Sequence, residues 1–166
     1  MSKFHPFALA ICHDETSDDF AFIFDALYQF NTQWRPTILL ADSAEAITNG
    51  FVQVFGHSEV RINCFYHVCK NIEKYVKVIT KGGKNADVVG DLLALQSAKD
   101  DDTFPAASRI FIKKYRAVSC EFADYFESQC LQKNSQWYEG AAIGLPSTNN
   151  GLEATNRVIK DEHSLR

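Results

Sequence analysis

Apolar residues recur along this chain in two alternating rhythms. Compact apolar runs at Phe7 to Cys12, Thr37 to Ala41 and Val60 to Phe65 have strand length, and each predicts a β-strand. Between them the spacing changes to three and four residues. Phe20, Ile23, Phe24, Leu27 and Phe30 share one helical face behind Thr16 and Ser17, which can cap it, and Arg35-Pro36 breaks the segment. Ala44, Ile47, Phe51 and Val54 predict a second helix ending near Gly56. Val68, Ile72, Tyr75, Val76 and Ile79 predict a third, stopped by Gly82-Gly83. From about Asn85 to Lys133 there is no strand pattern. That stretch reads as helices carrying Val88, Leu92, Leu93 and Leu95, then Pro105 to Arg116, then Phe122, Tyr125 and Phe126. A last amphipathic segment runs from Asn149 to about Glu162. Strands alternating with helices, followed by helices alone over residues 85–133, predict an α/β domain with a partly parallel sheet. The first element reads as a core strand and the last as a helix still running, so both ends read as cut.

Composition narrows the class. The chain has 166 residues, 46% of them hydrophobic and 23% charged, an ordinary globular mix of about one domain's length. Five cysteines without framework spacing fit a reducing compartment, and no stretch has the apolar length of a signal peptide or a membrane span. A net charge of −4 argues against a free-standing nucleic-acid binder. The charge is uneven, however. Lys70, Lys74, Lys77, Lys81 and Lys84 follow helical spacing, and Arg109, Lys113 and Arg116 repeat it. Such stripes are either solvated helix faces or surfaces that meet a phosphate backbone.

Candidate chemistry is sparse. Asp42 sits where an apolar strand gives way to a helix, the edge of an open α/β sheet at which ligands bind. It also has a purely structural reading: Asp42 or Ser43 can cap the helix, with Glu45 completing a capping box. Glu153 lies on a polar helix face with Asn149, Asn156 and Lys160, although Asn150 and Glu153 also have the capping-box offset. Cys64 and His67 form a Cys-x-x-His pair, with Cys69 nearby. Zinc normally takes four ligands, or three and a water, so burial of Cys64 beside a hydrogen-bonded His67 is the competing account. Lys81-Gly82-Gly83-Lys84 lacks the spacing of a P-loop.

Four stretches together resemble the catalytic domain of the Mutator-like (MULE) transposases. They are His5-Pro6-Phe7-Ala8-Leu9-Ala10, residues 36–46 with Leu39-Leu40-Ala41-Asp42-Ser43-Ala44-Glu45-Ala46, Cys64-Phe65-Tyr66-His67-Val68-Cys69-Lys70-Asn71, and residues 147–157 from Ser147 through Glu153 to Arg157. The resemblance spans nearly the whole chain. It implies a ribonuclease H-like fold, here truncated to a partial mixed sheet flanked by helices, with residues 85–133 as a helical insertion before the last catalytic helix. It implies an Asp-Asp-Glu metal triad in which Asp42 matches the second aspartate and Glu153 the glutamate, both catalytic and metal-binding. The same resemblance makes Cys64 and His67 structural or DNA-positioning residues. Lys70, Lys74, Lys77, Asn149, Asn156 and Lys160 become candidate DNA contacts. The family's first aspartate lies on a strand upstream of the one matched by Phe7 to Cys12, and no acid precedes that run here. The first two strands of the fold are therefore expected to be missing.

Such triads hold two divalent ions about 3.5–4 Å apart, one activating the attacking oxygen and one stabilising the leaving oxygen. The resemblance implies Mg²⁺ or Mn²⁺ in the intact family, with Zn²⁺ at Cys64 and His67 as a further candidate. The partners it implies are the DNA of transposon ends and target, a homo-oligomer and no membrane, in the nucleus. The intact parent is expected to cleave DNA and transfer strands, and this polypeptide alone to be inactive. The alternative is a domesticated, transposase-derived regulator that binds DNA or protein without catalysis.

Overall fold

The computed structural model describes residues 8–57, 60–81 and 87–162, without the side chains of residues 80, 81, 150, 153, 156 and 160. In chain order the elements are α1 (Ser17–Phe30), β1 (Ile38–Ala41), α2 (Glu45–Phe55), β2 (Val60–Asn63), α3 (Phe65–Lys81), α4 (Val88–Gln96), α5 (Thr103–Arg116) and α6 (Cys120–Tyr125). A π-helical segment (Phe126–Lys133), a short 3₁₀ turn (Glu139–Ala142) and α7 (Asn150–Glu162) complete the described chain. The strands form a two-stranded parallel sheet. The chain divides into two compact units, one made of Met1–Arg61 with Asn149–Arg166, the other of Ile62–Thr148.

In the first unit, α1 starts as its sequence requires. The Thr16 hydroxyl accepts from the Asp19 N–H while the Asp19 carboxylate accepts from the Thr16 N–H, a reciprocal capping box. The Thr16 hydroxyl, donating to the Asp19 carboxylate at 2.6 Å, and then the Thr16 N–H hold the Asp19 carboxyl below the usual carboxylate range. The helix ends at Phe30 with Asn31 as its C-cap, before Arg35-Pro36 is reached. It lies against α2 because α2 carries a glycine at the crossing. A Cβ on Gly50 would stand 2.6 Å from the Phe20 Cβ and 2.7 Å from the Ala21 nitrogen. Rings of Phe24, Phe51 and Phe55 meet edge to face or tilted beside that contact, and Leu39, Ala41 and Phe51 are the buried core. Gly56 ends α2 with φ +79°, a conformation that suits glycine.

The second unit buries most of the aromatic residues. Val68, Ile72 and Ile79 of α3 and Val88, Leu92 and Leu95 of α4 pack with Phe111, Tyr115, Phe122, Phe126 and Trp137 in one cluster. The periodicities read for α3 and α4 therefore describe real inner faces, with the exception of Leu93, which is exposed. Two of the polar groups drawn into this core are satisfied. The Tyr115 hydroxyl donates to Asp91 at 2.7 Å, and the Trp137 Nε1–H donates to the Cys130 carbonyl at 2.7 Å. Burial, then the bond to Asp91, pushes the Tyr115 phenol well above its ordinary value.

Three local expectations need correction. Residues 8–12 form no strand and are exposed, with Leu9 66% and Ile11 83% accessible; Phe7 lies outside the described residues. Apolar character alone does not make a strand, because its N–H and C=O groups must find a neighbouring strand, and none pairs with residues 8–12 among the described residues. Phe30 is 91% exposed rather than part of the inner face of α1. Finally, β2 stops at Asn63, because α3 begins at Phe65, where the Cys64 carbonyl accepts from the His67 and Val68 N–H groups. Among the described residues no helix is long and apolar enough to cross a membrane.

Candidate active site

Asp42 stands one residue beyond β1, at the carboxyl edge of the parallel pair. Its Oδ1 accepts from the Ala44 N–H at 2.8 Å, closing an Asx turn. The capping box expected with Glu45 does not form, since the N-cap of α2 is Ala44, whose side chain makes no capping bond. The turn takes the Asp42 carboxylate out of capping geometry. Among the described residues no donor bonds to the other carboxylate oxygen.

Sequence reading missed the residue that organises this edge. Arg61 of β2 donates through Nε to the Thr48 hydroxyl at 3.0 Å and through Nη1 to the carbonyls of Ala41 and Leu39 at 3.4 and 3.5 Å. Its Nη2 bonds to the Asp42 carbonyl. The guanidinium thus gathers the backbone carbonyls at the end of β1 and fastens them to α2. Burial pulls its pKa down from the ordinary value, and the Asp42 charge partly opposes that. The available signal was alternation. Arg61 lies between Val60 and Ile62 in an otherwise apolar run, so it occupies the strand face opposite the buried Ile62.

Glu153 lies on α7, which belongs to the same compact unit as β1 and Asp42. Its side chain is outside the described residues, as are those of Asn156 and Lys160. The Asn149 carbonyl accepts from the Leu152 N–H at 2.8 Å as α7 begins. Cys64 is buried at the start of α3, and the His67 ring meets Tyr66 edge to face at 5.4 Å. Burial, then the neighbouring Cys64, pushes the Cys69 thiol up. Lys70 and Lys77 share Glu73, at 3.7 and 3.0 Å, and Lys74 lies 4.8 Å from the centre of the Tyr75 ring. These exposed pairs contribute little to stability.

The described donors are a weak match for a cation centre. They offer one carboxylate oxygen beside a guanidinium, and no group of three or more His, Cys, Asp or Glu is arranged for a metal among the described residues. Magnesium is held through carboxylate oxygens and waters, so Asp42 alone does not fit a two-ion site.

Fold and site together define an α/β unit with an acid at the carboxyl edge of parallel strands. Residues 1–71 match the model of the MULE transposase domain, so this stretch is similar to that family. Asp42, Cys64, His67 and Lys70 fall inside the match, whereas Glu153 and the helices from α4 onward fall outside it. No curated protein and no solved structure matches the chain.

Proposed function

We propose that the chain is a piece of a DDE-type transposase core with a ribonuclease H-like fold. In the intact parent, Asp42 and Glu153 would be two of three carboxylates holding Mg²⁺ or Mn²⁺ for DNA cleavage and strand transfer. The observation that carries this reading is the match over residues 1–71, which includes β1 and the Asp42 that follows it. Two features of the fold support it. One is that α7, with Glu153, joins the compact unit of Asp42 although the helical residues 62–148 intervene in sequence. This is the layout expected of an insertion placed before the last catalytic helix. The other is the position of Asp42 at the sheet's carboxyl edge.

The same reading makes this polypeptide inactive by itself. Residues 1–166 offer two carboxylates matching the triad, and Arg61 adds a positive charge against the Asp42 loop. Two carboxylates beside a guanidinium are too few to fix two cations at working distance. The Arg61 anchor also favours the second reading, a non-catalytic regulator derived from a transposase, because it stabilises the loop without serving metal chemistry. Cys64 and His67 would then be structural in both cases, and Zn²⁺ there would require ligands beyond this pair.

The test is a nicking assay on supercoiled DNA with Mg²⁺ or Mn²⁺, using the wild-type chain, Asp42→Ala and Glu153→Ala. All three are expected to leave the DNA intact. Cleavage by the wild type that disappears in both variants would establish an active site and overturn the inactivity. DNA binding retained equally in all three, without cleavage, would support the regulator.

A further inference from the structure

The helical unit contains a groove of about 680 Å³ that neither the transposase match nor the candidate active site uses. Every residue lining it belongs to Ile62–Thr148. One wall is α5, which presents two adjacent rows. Phe104, Ser108 and Ile112 recur at helical spacing along the floor, and Arg109 and Lys113 recur beside them along the rim. The opposite wall is the π-helical segment and the chain after it, which contribute Leu131, Gln132 and Gln136. π-Helical backbone is rare and concentrates at functional sites. Here it runs for eight residues.

The polar groups of the groove are unevenly committed. Arg116 is occupied by Asp124 at 2.5 Å and Glu127 at 2.8 Å, and Asp101 accepts from the Tyr138 hydroxyl. The acids that line the groove are thus already engaged. Arg109 and Lys113 make no ion pair among the described residues, so two positive charges stay uncompensated at the rim. Below them, Ser108 is only 5% exposed, and its buried hydroxyl has no hydrogen-bond partner. A buried, unpartnered hydroxyl lining a cavity can donate to a ligand bound there.

We infer that this groove binds a nucleotide, with the phosphate between Arg109, Lys113 and the Ser108 hydroxyl. The planar base lies along the apolar floor of Phe104, Ile112 and Leu131, and the amides of Gln132 and Gln136 face its hydrogen-bonding edge. Three donors of this kind suit a phosphate's three oxygens, and carboxamides donate and accept as base edges require. The volume lies within the range of small-ligand sites, about 300–1,000 Å³. The same chemistry is offered by a free mononucleotide or by the unpaired end of a single strand. The inference rests on the helical unit alone and does not need the transposase reading.

The test uses the whole chain. Fluorescein-labelled 5′-phosphorylated oligothymidylate is titrated by anisotropy, with unlabelled thymidine monophosphate and a poly-glutamate peptide as competitors. Ser108→Ala and the double variant Arg109→Ala/Lys113→Ala should each weaken nucleotide binding about tenfold or more. Ser108→Ala should keep or raise the melting temperature, because it removes an unsatisfied hydroxyl, so weaker binding would not reflect unfolding. Competition by the mononucleotide identifies a free nucleotide as the ligand, and its failure while the strand still binds identifies a strand end. Both support the site. Binding unchanged in both variants, no nucleotide binding at all, or displacement by poly-glutamate alone would overturn it.

Discussion

At the scale of single residues, polar groups placed where two elements meet decide most of the chemistry. Arg61 is the clearest case, since one guanidinium serves Thr48 and the carbonyls of Leu39, Ala41 and Asp42. Arg61→Met keeps the length of the side chain but leaves those acceptors without a donor. It should destabilise the protein by about 1–3 kcal/mol, measured by urea denaturation. A neutral result would mean that water replaces the guanidinium. Asp91 makes a second prediction. Desolvation raises its pKa, but the donors Lys114 and Tyr115 outweigh this, so the folded carboxyl lies below its ordinary value. A depressed carboxyl contributes stability that is present above its unfolded pKa, about 4, and is lost as pH falls through the folded value. Asp91→Asn should therefore lower the melting temperature at neutral pH, and the gap to wild type should narrow below about pH 4. A gap independent of pH would assign the loss to packing.

At the scale of elements, the contact between α1 and α2 depends on an absent side chain. Gly50→Ala would place a methyl group against the Phe20 Cβ and the backbone of α1, at separations no real contact tolerates. The helices must move apart, at a cost of about 1–3 kcal/mol, despite the better helix propensity of alanine. Gly56→Ala is the comparison, since no atom lies within 4 Å of the added carbon and only its positive φ is strained. Equal melting temperatures for Gly50→Ala and wild type would disprove the close approach. Elements are also where sequence reading succeeded and failed most visibly. The helical stripes of α3 and α4 were legible because one face of each is buried, and burial writes a period of three to four residues. Residues 8–12 misled because strand-like composition says nothing about whether a partner strand is present. The π-helical segment left no mark, because its wider hydrogen-bond spacing changes the backbone while apolar Phe126 and Cys130 still face inward. Of the candidate site, Asp42 could be found by its place after β1. Arg61 could not be weighted correctly, since its partners are 13 to 22 residues away in sequence. Ser108 was hidden for the same reason, as its meaning comes from the cavity above it.

At the scale of the whole molecule, residues 62–148 are an uninterrupted stretch that owns its core, whereas the other unit is assembled from two separated stretches. Local contacts form early in folding, and joining distant segments carries an additional loop-closure cost. A ribosome makes the difference sharper, because the chain emerges in order. Nascent chains arrested after residue 148 has cleared the exit tunnel should already protect the helical stretch from protease, while α1 and α2 remain susceptible until α7 follows. Simultaneous protection of both would show that α7 is dispensable for the first unit. The division of the chain thus imposes a timetable on its synthesis: α7 emerges after the helical stretch, and the unit to which it belongs stays incomplete until it does.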